Sequence, residues 1–192
     1  MNLPKPNPGK HSKQRGFSLL ELAIVAVIVS ILFIVAADKL FANRVEAERT
    51  AMESTLGTLR SALSIKLASY LAKDDMAGIL RLQKTNPMLN LSELPKNYAG
   101  ELNRPNPNSI EGGTWYFDTS DKILTYRVRE NEYFRSSLPG PARARFAIRL
   151  VYQDTNANKV FDKGVDSLNG VRLTELEPYS WLTKKAVETN LK

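Results

Sequence analysis

From Phe17 to Ala37 (FSLLELAIVAVIVSILFIVAA) the chain has almost no polar positions: 21 residues carry one charge, Glu21. As a helix this stretch is roughly 32 Å long, close to the hydrocarbon thickness of a bilayer. A core helix of that length would show a polar face. The pattern therefore predicts a membrane span. A secretory signal peptide is the competing reading. Against it, Ala36-Ala37-Asp38-Lys39 runs on into helical sequence without an A-x-A-like site. The run also exceeds the usual apolar region of about 7–15 residues.

After Lys39 the pattern becomes amphipathic. Phe41, Val45, Met52, Leu56, Leu59, Leu63, Leu67 and Tyr70 form a stripe at steps of 4, 7, 4, 3, 4, 4 and 3. That is a helical period. Glu46, Arg49, Glu53, Arg60 and Lys66 fall between them. No proline interrupts, so residues 17–73 read as one helix, roughly 85 Å long. A coiled-coil stalk would also bury the stripe, but the heptad-consistent stretch is short. Packing against a sheet is the preferred fate.

Beyond residue 73 the elements shorten. Asp74-Asp75 can cap a short helix through about Lys84, which Asn86-Pro87 ends. Residues 87–113 are rich in Pro, Asn and Gly and read as loop. Thr114–Phe117 and Ile123–Arg129 flank a polar turn, Asp118–Lys122, as in a hairpin. Arg145 to Tyr152 alternates, with Phe146, Ile148, Leu150 and Tyr152 on one face. Val171-Arg172-Leu173 opens a fourth strand, and the tail from Leu182 to Lys192 is mostly polar. The expected fold class is α+β: a long N-terminal helix packed on a small antiparallel β-sheet head. The expected segments are 1–16, 17–39, 40–73 and 74–192.

Charge changes the picture only once it is placed. The net charge is +7, which invites a nucleic-acid reading. Lys5, Lys10, Lys13 and Arg15 lie in the first 16 residues, which hold no acid. Residues 17–192 then carry 23 basic against 20 acidic side chains. A basic tail directly before an apolar run holds an N-terminus in the cytoplasm during insertion. The chain has no cysteine and one histidine, His11. That excludes disulfides and thiolate metal sites and leaves little room for histidine catalysis. No nucleophile–base pair, phosphate loop or convergent acid pair is evident, so an enzyme is not expected.

Gly16-Phe17-Ser18-Leu19-Leu20-Glu21, behind a basic leader and before a long span, resembles the prepilin processing motif of type IV pilins and type II secretion pseudopilins. The resemblance implies cleavage by a prepilin peptidase after Gly16, on the cytoplasmic face, with removal of residues 1–16. Phe17 becomes the new N-terminus and is N-methylated. The glutamate matching Glu21 pairs with the N-terminal amine of a neighbouring subunit during assembly. A lone carboxylate in a low-dielectric bundle is costly, and a paired one can fix register. The implied partners are the peptidase, other pilin or pseudopilin subunits, inner-membrane assembly machinery and membrane lipid. The implied location is the bacterial inner membrane, crossed once, with the head in the periplasm, then the pilus or pseudopilus. Many major pilins carry a proline where Asp38 stands and a glycine where Ser30 stands. Their absence leans the reading toward a minor pilin or pseudopilin. The alternative is a single-pass periplasmic binding protein that stays anchored and never polymerises.

Two surface features stay open. Asp154, Asn156, Asn158 and Asp162 occupy positions 1, 3, 5 and 9 of an EF-hand-like spacing, with Val160 at the carbonyl position, 7. Asp166 follows at 13 rather than 12, and Lys159 replaces the glycine of position 6. The segment is a candidate calcium loop or a metal-free Asn/Asp turn. Arg127, Arg129, Arg135, Arg143, Arg145 and Arg149 form a basic stretch. A solvated face, or one facing acidic residues of a neighbour, is favoured over nucleic acid. Trp115, Tyr116, Tyr126 and Phe134 could stack bases, but in a small sheet they are expected in the core.

Overall fold

The computed structural model describes residues 18–182. It is α+β, with an apolar N-terminal helix and a mostly antiparallel head. Helix α1 (Leu19–Leu71) is followed by α2 (Met76–Leu82), β1 (Tyr98–Leu102), β2 (Thr114–Asp118) and β3 (Ile123–Arg127). Then come β4 (Phe134–Ser136), β5 (Arg143–Gln153), β6 (Ser167–Glu175) and β7 (Tyr179–Trp181). The chain divides into two compact units, with the boundary between Phe41 and Ala42.

In the first unit, Leu19–Ala37 is long and apolar enough to cross a membrane. Leu19, Leu32 and Phe33 are all more than half exposed. Apolar surface of this extent needs cover from lipid or from other helices.

In the second unit the apolar stripe of α1 meets the sheet. Val45, Met52, Leu56, Leu59 and Leu63 are buried, and Tyr70 is half-buried against the same core. Opposite them sit Trp115 and Phe117 of β2, Leu124 and Tyr126 of β3, and Phe146 and Ile148 of β5. The Trp115 ring lies 4.7 Å from that of Tyr126 and 5.9 Å from that of Phe146. Burying each aliphatic side chain is worth about 1.5–3 kcal/mol, so this seam fixes helix to head. Asp75 caps α2, its carboxylate accepting from Gly78 N–H at 2.7 Å. Gly78 is required there, because a Cβ would come within 2.6 Å of the Tyr70 ring.

The main sheet runs β1-β2-β3-β5-β6. Here the expectation of four antiparallel strands needs correction. Residues 87–113 are not all loop: β1 lies within them and pairs with β2 in parallel, Tyr98 opposite Trp115 and Glu101 opposite Phe117. It is tethered by buried Asn86, whose amide donates to Tyr98 Oη at 2.7 Å and to Glu101 Oε1 at 2.9 Å. A second correction is the small β4–β7 sheet, in which Phe134 faces Trp181. The expected β2–β3 hairpin is present, and Leu173 of β6 reaches the core. The tail reading from Leu182 onward lies almost wholly outside the described residues.

Candidate functional site

Gly16 and Phe17 lie outside the described residues; Ser18 to Glu21 are the part of the motif that is described. Ser18 stands just before α1. Its backbone N–H donates to Glu21 Oε2 at 2.8 Å, and its hydroxyl oxygen accepts from Glu21 N–H at 3.2 Å. This reciprocal pair is a capping box, which satisfies two donors at the helix start. The Glu21 Oε1 atom has no partner among the described residues. The carboxylate is therefore held by its own chain through one oxygen and can accept a further donor through the other. Reading Ser18 only as the small hydroxyl of the motif missed this. The signal was available as a serine three residues before an acid, at the head of an apolar run.

A second carboxylate escaped the sequence reading. Glu48 on α1 accepts from Tyr126 Oη–H at 3.0 Å and from Arg129 N–H at 2.6 Å through Oε1. Through Oε2 it accepts from Glu130 N–H at 2.9 Å. Three donors from the end of β3 thus converge on one helix side chain. Burial, followed by the Glu48 charge, pushes the Tyr126 phenol well above its ordinary value. Glu48 lines a cleft of about 400 Å³ with Arg44, Asn97, Tyr126 and Arg129. Its partners lie about 80 residues away, so no local pattern announces them.

The 154–166 loop has a definite internal order. Asp154 Oδ2 accepts from Lys159 N–H at 2.7 Å, Asn156 Oδ1 from Asn158 N–H at 3.2 Å, and Asn158 Oδ1 from Val160 N–H at 2.8 Å. Asp166 accepts from Thr155 N–H and Asp162 N–H. Lys159 has φ 63°, the left-handed conformation that the glycine of position 6 supplies in such loops. Asp154 Oδ1 is buried and without a hydrogen-bond partner. The amides of Asn156 and Asn158 donate to Asp162, which lowers its pKa. Among the described residues, no three Asp, Glu, His or Cys side chains gather as a metal cluster. A cation would depend on amide and carbonyl oxygens, Val160 included, as much as on carboxylates.

The arginine stretch is largely committed. Arg127 Nη1 donates to the carbonyls of Val128 and Ala142, and Arg143 Nη1 to those of Pro139 and Pro141. Arg145 pairs with Glu177. Trp115, Tyr116, Tyr126 and Phe134 are all buried, which removes the candidate stacking surface.

An apolar helix, an acid that caps its start and an α+β head define the class: a chain with an apolar N-terminal helix and a mostly antiparallel head. Residues 11–37 match the family model of the prokaryotic N-terminal methylation motif, the prepilin-type signature. No curated protein and no solved structure matches the chain. The motif supports a type IV pilin-like or pseudopilin-type substrate. It marks structural proteins that are generally not enzymes, and it implies processing by prepilin peptidase and assembly with pilin subunits. Its apolar helix suggests membrane anchoring.

Proposed function

We propose that this chain is a minor pilin or pseudopilin, a structural subunit of a type IV pilus or a type II secretion pseudopilus. One observation carries the reading: the methylation motif at residues 11–37 coincides with an exposed helix long and apolar enough to cross a membrane. The precursor sits in the inner membrane, its N-terminus in the cytoplasm and its head in the periplasm. Prepilin peptidase cuts after Gly16, removing four basic side chains and freeing an ammonium at Phe17, which is then methylated. The subunit packs helix to helix, and Glu21 of one chain meets the Phe17 amine of the next. A buried carboxylate is tolerable only when paired, so this contact selects one stagger. Mass spectrometry of the mature protein tests the reading. An N-terminus at Phe17, with or without a methyl group, supports it. Intact residues 1–16 would favour the permanently anchored protein instead.

A second reading concerns calcium in the 154–166 loop. It is favoured by the buried, unpartnered Asp154 Oδ1 and the left-handed backbone at Lys159. Asp154, Asn156, Asn158, Val160, Asp162 and Asp166 would supply the oxygens and order the connection between β5 and β6. Titrating calcium into the full chain in detergent should release heat and raise the melting temperature, both abolished by chelator. Absence of both effects ends the idea.

A further inference from the structure

We propose that the outer face and free edge of β6 dock an extended acidic polypeptide segment, which adds to the sheet as a sixth strand. The inference stands apart from the filament reading and rests on three observations.

The first is charge. Arg149 of β5 lies directly opposite Arg172 of β6 in the register, and both are exposed. Like charges at directly opposed positions destabilise a strand pair. Elsewhere on the same face, Arg127 also opposes Arg143, but each of those guanidiniums donates through Nη1 to two backbone carbonyls. Arg149 and Arg172 have no hydrogen-bond or ion-pair partner among the described residues. Two guanidiniums side by side form a fork for carboxylates.

The second observation is the edge itself. β6 ends the five-stranded sheet, and β5 is its sole strand neighbour among the described residues. The register slips at Val151 and Tyr152 of β5, but Val171–Glu175 keeps regular pairing. Its outward backbone groups can therefore receive another strand.

The third observation selects the occupant. Nucleic-acid affinity grows with the number of phosphates neutralised, and two uncommitted arginines offer few such contacts. The candidate stacking residues Trp115, Tyr116, Tyr126 and Phe134 are in the core. An extended peptide with acids at every second position would place all of them on the arginine face while its backbone pairs with β6.

The probe is a short labelled peptide of alternating glutamate and valine, titrated against the full chain in detergent micelles. We expect saturable binding that weakens with salt. Hydrogen exchange at the amides of Val171–Glu175 should slow when the peptide is added. A peptide of the same composition with its glutamates in blocks should bind more weakly, because it cannot keep them on one face. The double variant R149E/R172E should lose at least about tenfold in affinity while melting normally, since both positions are exposed. The proposal is overturned if the peptide fails to bind, or if binding is indifferent to R149E/R172E. Equal affinity for the blocked peptide, or unchanged exchange along β6, also overturns it. Tighter binding of short duplex DNA through the same arginines would assign the face to nucleic acid. Self-association of the chain through them without peptide would assign it to a second copy.

Discussion

At the scale of single residues, two carboxylates divide the work of the N-terminal helix. Glu21 caps the start of α1, and Glu48 ties its middle to the end of β3. Hydrogen bonds to a charged group contribute about 1.5–3 kcal/mol each, and buried donors left without an acceptor add a further cost. Glu48→Ala should therefore destabilise the head by about 3 kcal/mol or more, read as a lower melting temperature with secondary structure retained. Tyr126 gives the linked pH effect. Its folded pKa lies above the ordinary tyrosine value of 10.0. The unfolded phenol therefore ionises first, so its stabilisation is complete below that value and is lost as pH rises toward the folded pKa. Tyr126→Phe should flatten the fall in stability above about pH 10, measured by denaturant unfolding across the alkaline range.

At the scale of elements, α1 was the most legible part of the chain. Its stripe has a helical period, and Val45, Met52, Leu56, Leu59 and Leu63 are the residues that enter the core. Leu59→Ala should cost about 2–5 kcal/mol, whereas Ile65→Ala, on an exposed part of the same helix, should cost little. Denaturant unfolding of the two variants would separate them. The hairpin and β5 were equally visible, because alternation and a polar turn are local signals. β1 was not. Tyr98-Ala99-Gly100-Glu101-Leu102 lacks β-branched residues, Gly100 takes φ 97° at a register slip, and the strand is held by the distant amide of Asn86. β4 and β7 are three residues each, too short for a period to show. The Glu48 contacts were invisible for a related reason: a carboxylate off the apolar stripe reads as solvated until the fold brings donors to it. The loop at 154–166 was legible as spacing. The compensation of Lys159, which adopts a left-handed backbone without being glycine, was not.

At the scale of the whole molecule, the sequence motif and the exposed apolar helix point the same way. If the proposed assembly is right, Glu21→Ala should leave membrane insertion intact and reduce filament incorporation, measured by fractionating cells and sheared filaments. Normal incorporation would refute the pairing role. Gly16→Trp should block processing and leave the longer precursor in the membrane, because a bulky side chain obstructs close approach to the scissile backbone. Mature protein at normal levels would move the cut elsewhere. The net charge of +7 belongs mostly to the first 16 residues. The remaining excess of three gives little general attraction for polyanions, and the surface is better understood through particular arginines.

The Glu48 contacts also have a mechanical meaning. The three donors sit together at the end of β3, and all end on one side chain. Tension entering along α1 would reach that side chain before it reached the buried leucines farther along. The three bonds would then be strained in parallel and would have to rupture nearly together. A head fastened in this way should resist a sudden pull better than its equilibrium stability suggests, and Glu48→Ala should lower the force at which helix and sheet part.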